Sequence, residues 1–316
     1  MGAGALAASF ASFAQTQGRV WRIGFLVQRH LDLVDSDILY GPFRQGMQEL
    51  GYVDGRNLII EWRSAEGNAE RLPGLAAELV RLAVDLIVAF QTPAVQAAKQ
   101  ATNRIPIVIA AAGDPVATGI VASLARPGGN ITGMSGATAE LAAKMLDLIR
   151  EIRPGTTRVA VLANANDPFT KPFLEQIQGS ARRLGIGLRP IAVRGPGEFD
   201  AAFEKWRSER VDAIIVQPSL PGKPAIELAA KHHLVVTGPT RAFAEDGGLL
   251  SYSASPKEQF QRVAVIIDKI FKGAKPADLP VEQPTKYDLV INMKTAKALG
   301  IKIPNSILVQ ATKLIE

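Results

Sequence analysis

From residue 20 onwards the chain alternates short apolar strands with amphipathic helices, and this alternation constrains the fold more than any other feature. The run VWRIGFLV is typical of a strand, and the segment NAERLPGLAAELVRLA is typical of a helix, with Leu72, Leu75, Leu79 and Leu82 on one face. Strands separated by helices form parallel sheets that are covered on both faces. The sequence therefore predicts an α/β, doubly wound fold.

The pattern occurs twice, which indicates two similar lobes. The strands VDLIVAF (84–90) and VDAIIVQ (211–217) each carry an aspartate at their start, and each is followed by a polar residue, a proline and a helix. At 316 residues the chain is also longer than a typical single domain. We therefore expect two Rossmann-like lobes.

The C-terminal part indicates how the lobes are connected. A strand-like GGLLSYS, a long helix, a proline-rich passage and a further strand and helix are too much for a single linker. Crossings near 131–135, 249–254 and 278–287 would each coincide with a glycine-, serine- or proline-rich stretch, and three short crossings form a hinge. The expected divisions are lobe 1 at 19–132 plus 250–279 and lobe 2 at 133–249 plus 280–316.

Composition excludes several classes of protein. With 47% apolar residues the chain is globular. The net charge is +6, but basic residues alternate with acids as in EKWRSER, and no helix-turn-helix precedes Arg22, so we expect no nucleic-acid binding. Without cysteines there are no disulfides or thiolate ligands, and the three histidines show no metal-ligand spacing. We expect no metal and no cofactor.

The N-terminal segment carries a signal for export. MGAGALAASFASFAQTQ is small and apolar as far as Ala14, and Ser12 and Ala14 provide small residues at the −3 and −1 positions of a signal-peptidase site. A basic n-region is missing, so either Met1 lies inside a longer signal peptide or residues 1–18 are an alanine-rich leader. No later stretch of 18 apolar residues occurs, and we expect an exported, periplasmic protein.

A glycine-rich loop follows the apolar run IPIVIAA. Such a loop after a buried strand is typical of phosphate binding, but Gly113 and Gly119 are six apart, no Gly-Lys-Ser/Thr follows, and G-x-G-x-x-G is absent. We interpret GDPVATG as a loop whose backbone faces a ligand, and ARPGGNITG as the approach to the first crossing.

The position of the site follows from the fold class. In open α/β sheets ligands bind beyond the carboxyl ends of the strands, so the loops after the strands supply the candidates. The candidate ligand-binding residues are Gln28, Phe90, Gln91, Thr92, Gly113, Asp114, Ser135, Asn164, Asn166, Gln217, Ser219, Arg241 and Tyr252.

Some of these residues have two interpretations. Asp114 could bind a ligand amine, or cap the next turn because it precedes Pro115. Arg241 could pair with a ligand carboxylate or form a surface salt bridge. Phe90 and Tyr252 could stack on a ligand or pack in the core.

An enzyme is the main rival hypothesis. Ser135, Ser219 and Ser251 lie in predicted loops, but there is no G-x-S-x-G motif and no convincing triad. A pair of Asp114 and Glu245 would resemble glycosidase carboxylates, yet nothing in the sequence brings them together. We expect no catalytic residues, with a hydrolase on the same fold as an alternative.

Long segments resemble a known family. They include FRQGMQELGYVDGRNLIIEWRSAEG, GDPVATGIVASLARPGGNITG, KIFKGAKPADLPVEQPTKYDLVINMKTAKALGI and IPNSILVQATKLIE. The sequence is similar to ABC-transporter substrate-binding proteins of the type I periplasmic-binding-protein fold, in the branch with tryptophan-binding members.

The resemblance implies a non-catalytic protein that captures a ligand between its lobes and delivers it to an ABC permease in the membrane. A monomer is the default expectation, because one permease docks one closed protein. The candidate loops offer amides, hydroxyls, one aspartate and one arginine, which favours an amino acid or an aromatic or other carboxylate metabolite over a sugar. A ligand sensor without a transporter is an alternative.

Overall fold

The computed structural model describes residues 19–28 and 40–316. The expected leader, residues 1–18, and one of the three histidines, His30, lie outside them. Among the described residues no helix is long and apolar enough to cross a bilayer.

The strands of the described residues are β1 (Trp21–Val27), β2 (Leu58–Ser64), β3 (Leu86–Phe90), β4 (Ile107–Ala112), β5 (Ile131–Ser135), β6 (Arg158–Asn164), β7 (Gly187–Val193), β8 (Ala213–Val216), β9 (Val235–Gly238), β10 (Leu250–Ala254), β11 (Val281–Glu282), β12 (Tyr287–Asn292) and β13 (Lys313–Ile315). The helices are α1 (Tyr40–Glu49), α2 (Leu72–Arg81), α3 (Thr92–Ala101), α4 (Thr138–Ile152), α5 (Thr170–Leu184), α6 (Phe199–Ser208), α7 (Gly222–Lys231), α8 (Arg241–Glu245), α9 (Pro256–Phe271), α10 (Met293–Ala298) and α11 (Asn305–Leu308).

The first lobe is built on a parallel sheet. Its strands lie in the order β11-β5-β4-β3-β1-β2. One face is covered by α1 and α9 around Phe25, Phe43 and Phe260, and the other by α2 and α3 around Leu79 and Ile87. Two buried faces explain why its central strands are apolar throughout rather than alternating.

The second lobe repeats this plan. Its sheet has the order β13-β12-β10-β9-β8-β6-β7, and the paired strands are parallel except β10 with β12, which are antiparallel. Phe173 and Ile177 of α5 lie in the core on one face, and Phe203 and Trp206 of α6 lie in the core on the other. The predicted α/β fold of two doubly wound lobes is confirmed.

The lobe boundaries differ from those expected. Ile131–Ser135 pairs wholly within the first sheet, Leu250–Ala254 pairs with β9 and β12 in the second, and Val281–Glu282 adds an edge strand to the first. The crossings therefore follow β5, β10 and β11. Assigning 250–254 to lobe 1, and 133–135 and 280–282 to lobe 2, was wrong, because an apolar strand pattern does not specify which sheet supplies its partner.

Candidate functional site

A cavity lies between the lobes at the carboxyl ends of both sets of strands. It encloses about 230 Å³, whereas a single water needs only ~10–15 Å³. The described residues that line it are Phe90, Gln91, Thr92, Ala111, Ala112, Gly113, Gly136, Thr138, Leu141, Asp167, Phe169, Pro218, Ser219, Pro239, Thr240, Arg241, Ala242, Glu245, Asp246, Ser253, Ala254, Pro256 and Gln259. Apolar atoms form most of its surface, and eleven of these residues carry polar or charged side chains, a combination that occurs in small-molecule sites.

The wall from the first lobe is formed where β3 passes into α3. The hydroxyl of Thr92, a residue that is 2% exposed, accepts a hydrogen bond from the Gly113 N–H at 3.1 Å. Gln91 has φ 71° and ψ 156°, a backbone region that only glycine readily populates. Its N–H donates to the Ala111 carbonyl at 2.6 Å. Backbone strain of this kind is concentrated at ligand clamps and active sites.

The lobes contact each other directly beside the cavity. The Gln91 side-chain amide donates to the Pro218 carbonyl at 2.9 Å, and the Gln28 amide donates to the Ser219 carbonyl at 3.3 Å. Gly113 lies against the ring of Phe169. The structure is therefore a closed arrangement of the lobes.

Asp167 is a buried carboxyl in the cavity wall of the second lobe, and it is 6% exposed. It accepts hydrogen bonds from the Phe169 N–H and the Gln217 side chain, both at 2.9 Å. Burial raises its pKa, and the bonds from the Ser219 hydroxyl, the Phe169 N–H and Gln217 offset this only in part. Within the described residues no cation pairs with it, so the cavity contains a desolvated carboxyl without a counter-ion.

Two residues of the second lobe hold this carboxyl in place. The Gln217 carbonyl oxygen accepts from the Asn164 N–H and the Thr170 hydroxyl, both at 2.9 Å, which fixes its amide group towards Asp167. Asn164 in turn donates to the Ser219 hydroxyl at 3.2 Å. A buried, fully connected network of this kind orients its members rigidly.

A guanidinium from another loop of the second lobe also lines the cavity. Arg241 begins α8, and its Nε donates to Glu245 Oε1 at 3.0 Å, while Lys313 Nζ donates to the same oxygen at 2.8 Å. Burial raises the pKa of Glu245, but Lys313 and Arg241 more than offset this and hold the pKa below its ordinary value. Glu245 is therefore ionised, and it orients Arg241 at the cavity.

Polar groups near the crossings complete the lining. The hydroxyl of Ser253 is buried without a hydrogen-bond partner among the described residues, and Ser253 is 5% exposed. Thr138 begins α4, and Gln259 donates to the Ser135 carbonyl at 3.5 Å.

Of the expected ligand-binding residues, six line the cavity, namely Phe90, Gln91, Thr92, Gly113, Ser219 and Arg241. Asn164 and Gln217 lie behind the wall and support Asp167. Asn166 is exposed and only its N–H bonds to Asn164. Gln28 reaches the other lobe without lining the cavity.

Three further expected residues also lie outside the cavity lining, which corrects the prediction for them. Asp114 is exposed and caps a turn, accepting from the N–H groups of Val116 and Ala117. Ser135 is buried and accepts from the Ala137 N–H rather than lining the cavity. Tyr252 stacks on Tyr287 at a centroid distance of 5.8 Å and lines a separate depression.

The candidate residues missed by the sequence interpretation include the buried carboxyl itself. Asp167 and Phe169 lie directly after the expected residue Asn166, and Thr138, Ser253 and Gln259 line the cavity from other elements. A signal for Asp167 was present, since NDP (166–168) follows the strand β6 as GDP (113–115) follows the strand β4.

Two α/β lobes joined by three crossings, with a ligand-sized cavity between the carboxyl ends of their strands, define the type I periplasmic-binding-protein fold. The chain belongs to the ABC transporter substrate binding protein family, whose sequence profile matches residues 34–315.

Individual proteins and solved structures that are similar to this chain are consistent with the family assignment. A tyrosine-binding protein from Clostridioides difficile is 24% identical over 264 residues, which are 82% of this chain and 76% of that protein. An ABC domain from Streptococcus pneumoniae in complex with L-Trp is 29% identical with a TM-score of 0.84, covering 94% of this chain and 100% of that one. A conserved domain protein from Vibrio cholerae is 26% identical with a TM-score of 0.86, at the same coverage.

Proposed function

We propose that this substrate-binding protein captures an amino acid with an aromatic side chain between its lobes and delivers it to an ABC permease. The observation that carries the proposal is that one cavity between the lobes is lined both by the carboxyl of Asp167, which has no cation among the described residues, and by the guanidinium of Arg241. An amino acid carries the two complementary charges on adjacent groups.

The carboxyl of Asp167 is suited to a ligand ammonium. It is buried and held by three hydrogen-bond donors, and it is without a cation among the described residues. A ligand ammonium would restore the favourable energy that burial removes from the ionised carboxyl, because charge-assisted hydrogen bonds are strongest out of water.

Arg241 is suited to the ligand carboxylate. It follows β9, whereas Asp167 follows β6, and β8 lies between these strands. With ~4.8 Å between neighbouring strands the two loops are ~10 Å apart, a span that the long arginine side chain shortens. Its Nε is engaged by Glu245, which leaves the planar terminus to face a carboxylate.

Apolar walls from both lobes would enclose the ligand side chain. Phe90 comes from the first lobe, and Leu141 and Phe169 come from the second. The ligands named for two relatives, tyrosine and L-Trp, support an aromatic side chain.

Closure of the lobes is favoured by ligand contacts to both walls, which can form together only in the closed state. A ligand that touches both walls binds the closed state more tightly and so shifts the equilibrium towards it. We propose that a monomer closes in this way outside the cytoplasm and is then recognised by the permease. This location and this partner are those that the family implies.

The test uses four probes on protein that has been unfolded and refolded to remove bound ligand. L-Tryptophan and L-tyrosine carry both charged groups, tryptamine lacks the carboxylate, and indole-3-propionate lacks the amine. We expect saturable thermal shifts with the first two and losses of about 2–5 kcal/mol in binding free energy for the others. Equal binding of all four probes, or turnover of any of them, would contradict the proposal.

A further inference from the structure

Gly113 in the loop after β4 faces Phe169 of the other lobe. A Cβ at position 113 would lie far inside 3.0 Å of Cγ, Cδ1 and Cδ2 of the Phe169 ring, a separation that real Cβ atoms do not show. The glycine therefore allows a close approach of the lobes that no other residue permits.

Phe169 is anchored in the second lobe. It is 2% exposed and lies in the core of the second lobe, with its ring 5.7 Å from that of Phe173. Its N–H donates to Asp167 at 2.9 Å, and α5 begins at the next residue. The core behind the ring is close-packed, and a bound ligand would fill the cavity that the ring also lines, so a side chain at position 113 would move the lobes rather than the ring.

We propose that Gly113 is the positioning residue for closure, and that contact between its α-carbon and the Phe169 ring sets the closed position of the lobes around the ligand. The inference rests on the proposed function, since closure is what retains the ligand. It also ties closure to recognition, because the backbone of Phe169 holds the carboxyl that would bind the ligand ammonium.

The first experiment compares Gly113→Ala with Gly179→Ala, a control in α5 where an added Cβ meets nothing within 4 Å. With L-tryptophan as the probe, Gly113→Ala is expected to bind about tenfold more weakly, equivalent to about 1.4 kcal/mol. The ligand-free melting temperature should not change, and the decrease in radius of gyration on adding the probe should be lost. An unchanged dissociation constant and unchanged compaction would overturn the inference.

A second substitution tests whether Gly113 acts by allowing the approach of Phe169 or has only a structural role. In a Phe169→Ala background the ring is absent, so Gly113→Ala should no longer weaken binding. The same tenfold loss in that background would show that Gly113 acts in another way.

The second experiment is independent of the ligand and uses the absence of cysteine from the chain. A Cβ at 113 within 3.0 Å of Phe169 Cγ lies no more than about 4.5 Å from the Cβ of residue 169, and this limit is the upper end of the Cβ–Cβ distances found in disulfides. The pair Gly113→Cys with Phe169→Cys should therefore form an intramolecular disulfide under mild oxidation, detectable by mass spectrometry, with each single cysteine as a control.

The outcomes distinguish the two proposals. If the wild type binds none of the amino-acid probes while the disulfide forms, the proposed ligand is wrong and the contact between Gly113 and Phe169 in the closed state is supported. If the wild type binds L-tryptophan but no disulfide forms in the folded double variant, the Gly113 inference fails.

Discussion

The side-chain amide of Gln91 donates a hydrogen bond to the Pro218 carbonyl across the cleft, at 2.9 Å. The same residue has φ 71° and ψ 156°, so the backbone conformation that directs this amide to the other lobe is a strained one. Such strain costs about 1–3 kcal/mol for a residue other than glycine. Gln91 therefore combines a stabilising contact of the closed state with a destabilising backbone conformation.

Two substitutions separate these effects. Gln91→Ala removes the bond and keeps the strain, so binding of L-tryptophan should weaken by about 0.5–1.5 kcal/mol. Gln91→Gly removes both, so its free energy of unfolding should exceed that of Gln91→Ala by about 1–3 kcal/mol. Urea unfolding and calorimetric titration measure the two quantities. A glycine variant less stable than the alanine variant would show that position 91 is unstrained.

Removing the charge of Asp167 should abolish most of the affinity for an amino acid. Asp167→Asn leaves the side chain nearly the same size but removes the partner of the ligand ammonium. We expect a loss of about 2–5 kcal/mol in binding free energy, measured by calorimetry. Asp114→Asn is the matched control, because Asp114 is exposed and caps a turn outside the cavity. Equal losses in both variants would exclude Asp167 as the amine site.

Binding should depend on pH through the same carboxyl. Burial raises the pKa of Asp167, and an ammonium ligand requires the ionised form. Affinity for L-tryptophan should therefore decrease as the pH falls through the raised value. In the ligand-free protein the folded state holds this proton more tightly than the unfolded chain. Between the ordinary and the raised pKa, stability should thus decrease as the pH rises.

The stability measurement has an internal control. Urea unfolding of Asp167→Asn should lack this contribution, so the difference between the two pH profiles reports the titration of Asp167 alone. Parallel profiles for the wild type and the variant would show that the carboxyl is not perturbed.

Arg241 should matter only for ligands that carry a carboxylate. Arg241→Gln removes the guanidinium, while Lys313 still pairs with Glu245 and preserves the local fold. We expect a loss of about 2–5 kcal/mol for L-tryptophan and little change for tryptamine, measured by competition calorimetry. An equal loss for both probes would indicate that Arg241 acts through the shape of the wall.

The fold could be predicted because it follows from periodicity, which the chain displays openly in both halves. The binding site could be predicted from the sequence only in part. GDP follows β4 and NDP follows β6, yet Asp114 turns outward to cap a turn while Asp167 is buried in the cavity wall. The difference depends on the contacts around each loop, which no local pattern encodes. Tyr252 was misplaced for a related reason, since it packs against a tyrosine 35 residues further along the chain, Tyr287.

The glycine-rich segment before the first crossing yields a prediction about folding stability. Gly133 has φ +134°, and a Cβ there would overlap the backbone of Ile109 in β4, next to a register shift between β4 and β5. Neither backbone can yield without breaking the sheet. Gly133→Ala should therefore lower the free energy of unfolding by more than about 3 kcal/mol, beyond the strain of positive φ alone.

Gly119→Ala is the matched control for this prediction. Gly119 also has a positive φ, +68°, but an added Cβ there meets nothing within 4 Å. Gly119→Ala should lower the free energy of unfolding by only about 1–2 kcal/mol, the strain of the left-handed backbone conformation. Urea unfolding of both variants compares the two terms directly. Equal losses would mean that the sheet accommodates a side chain at 133, and that conformational freedom alone requires glycine at both positions.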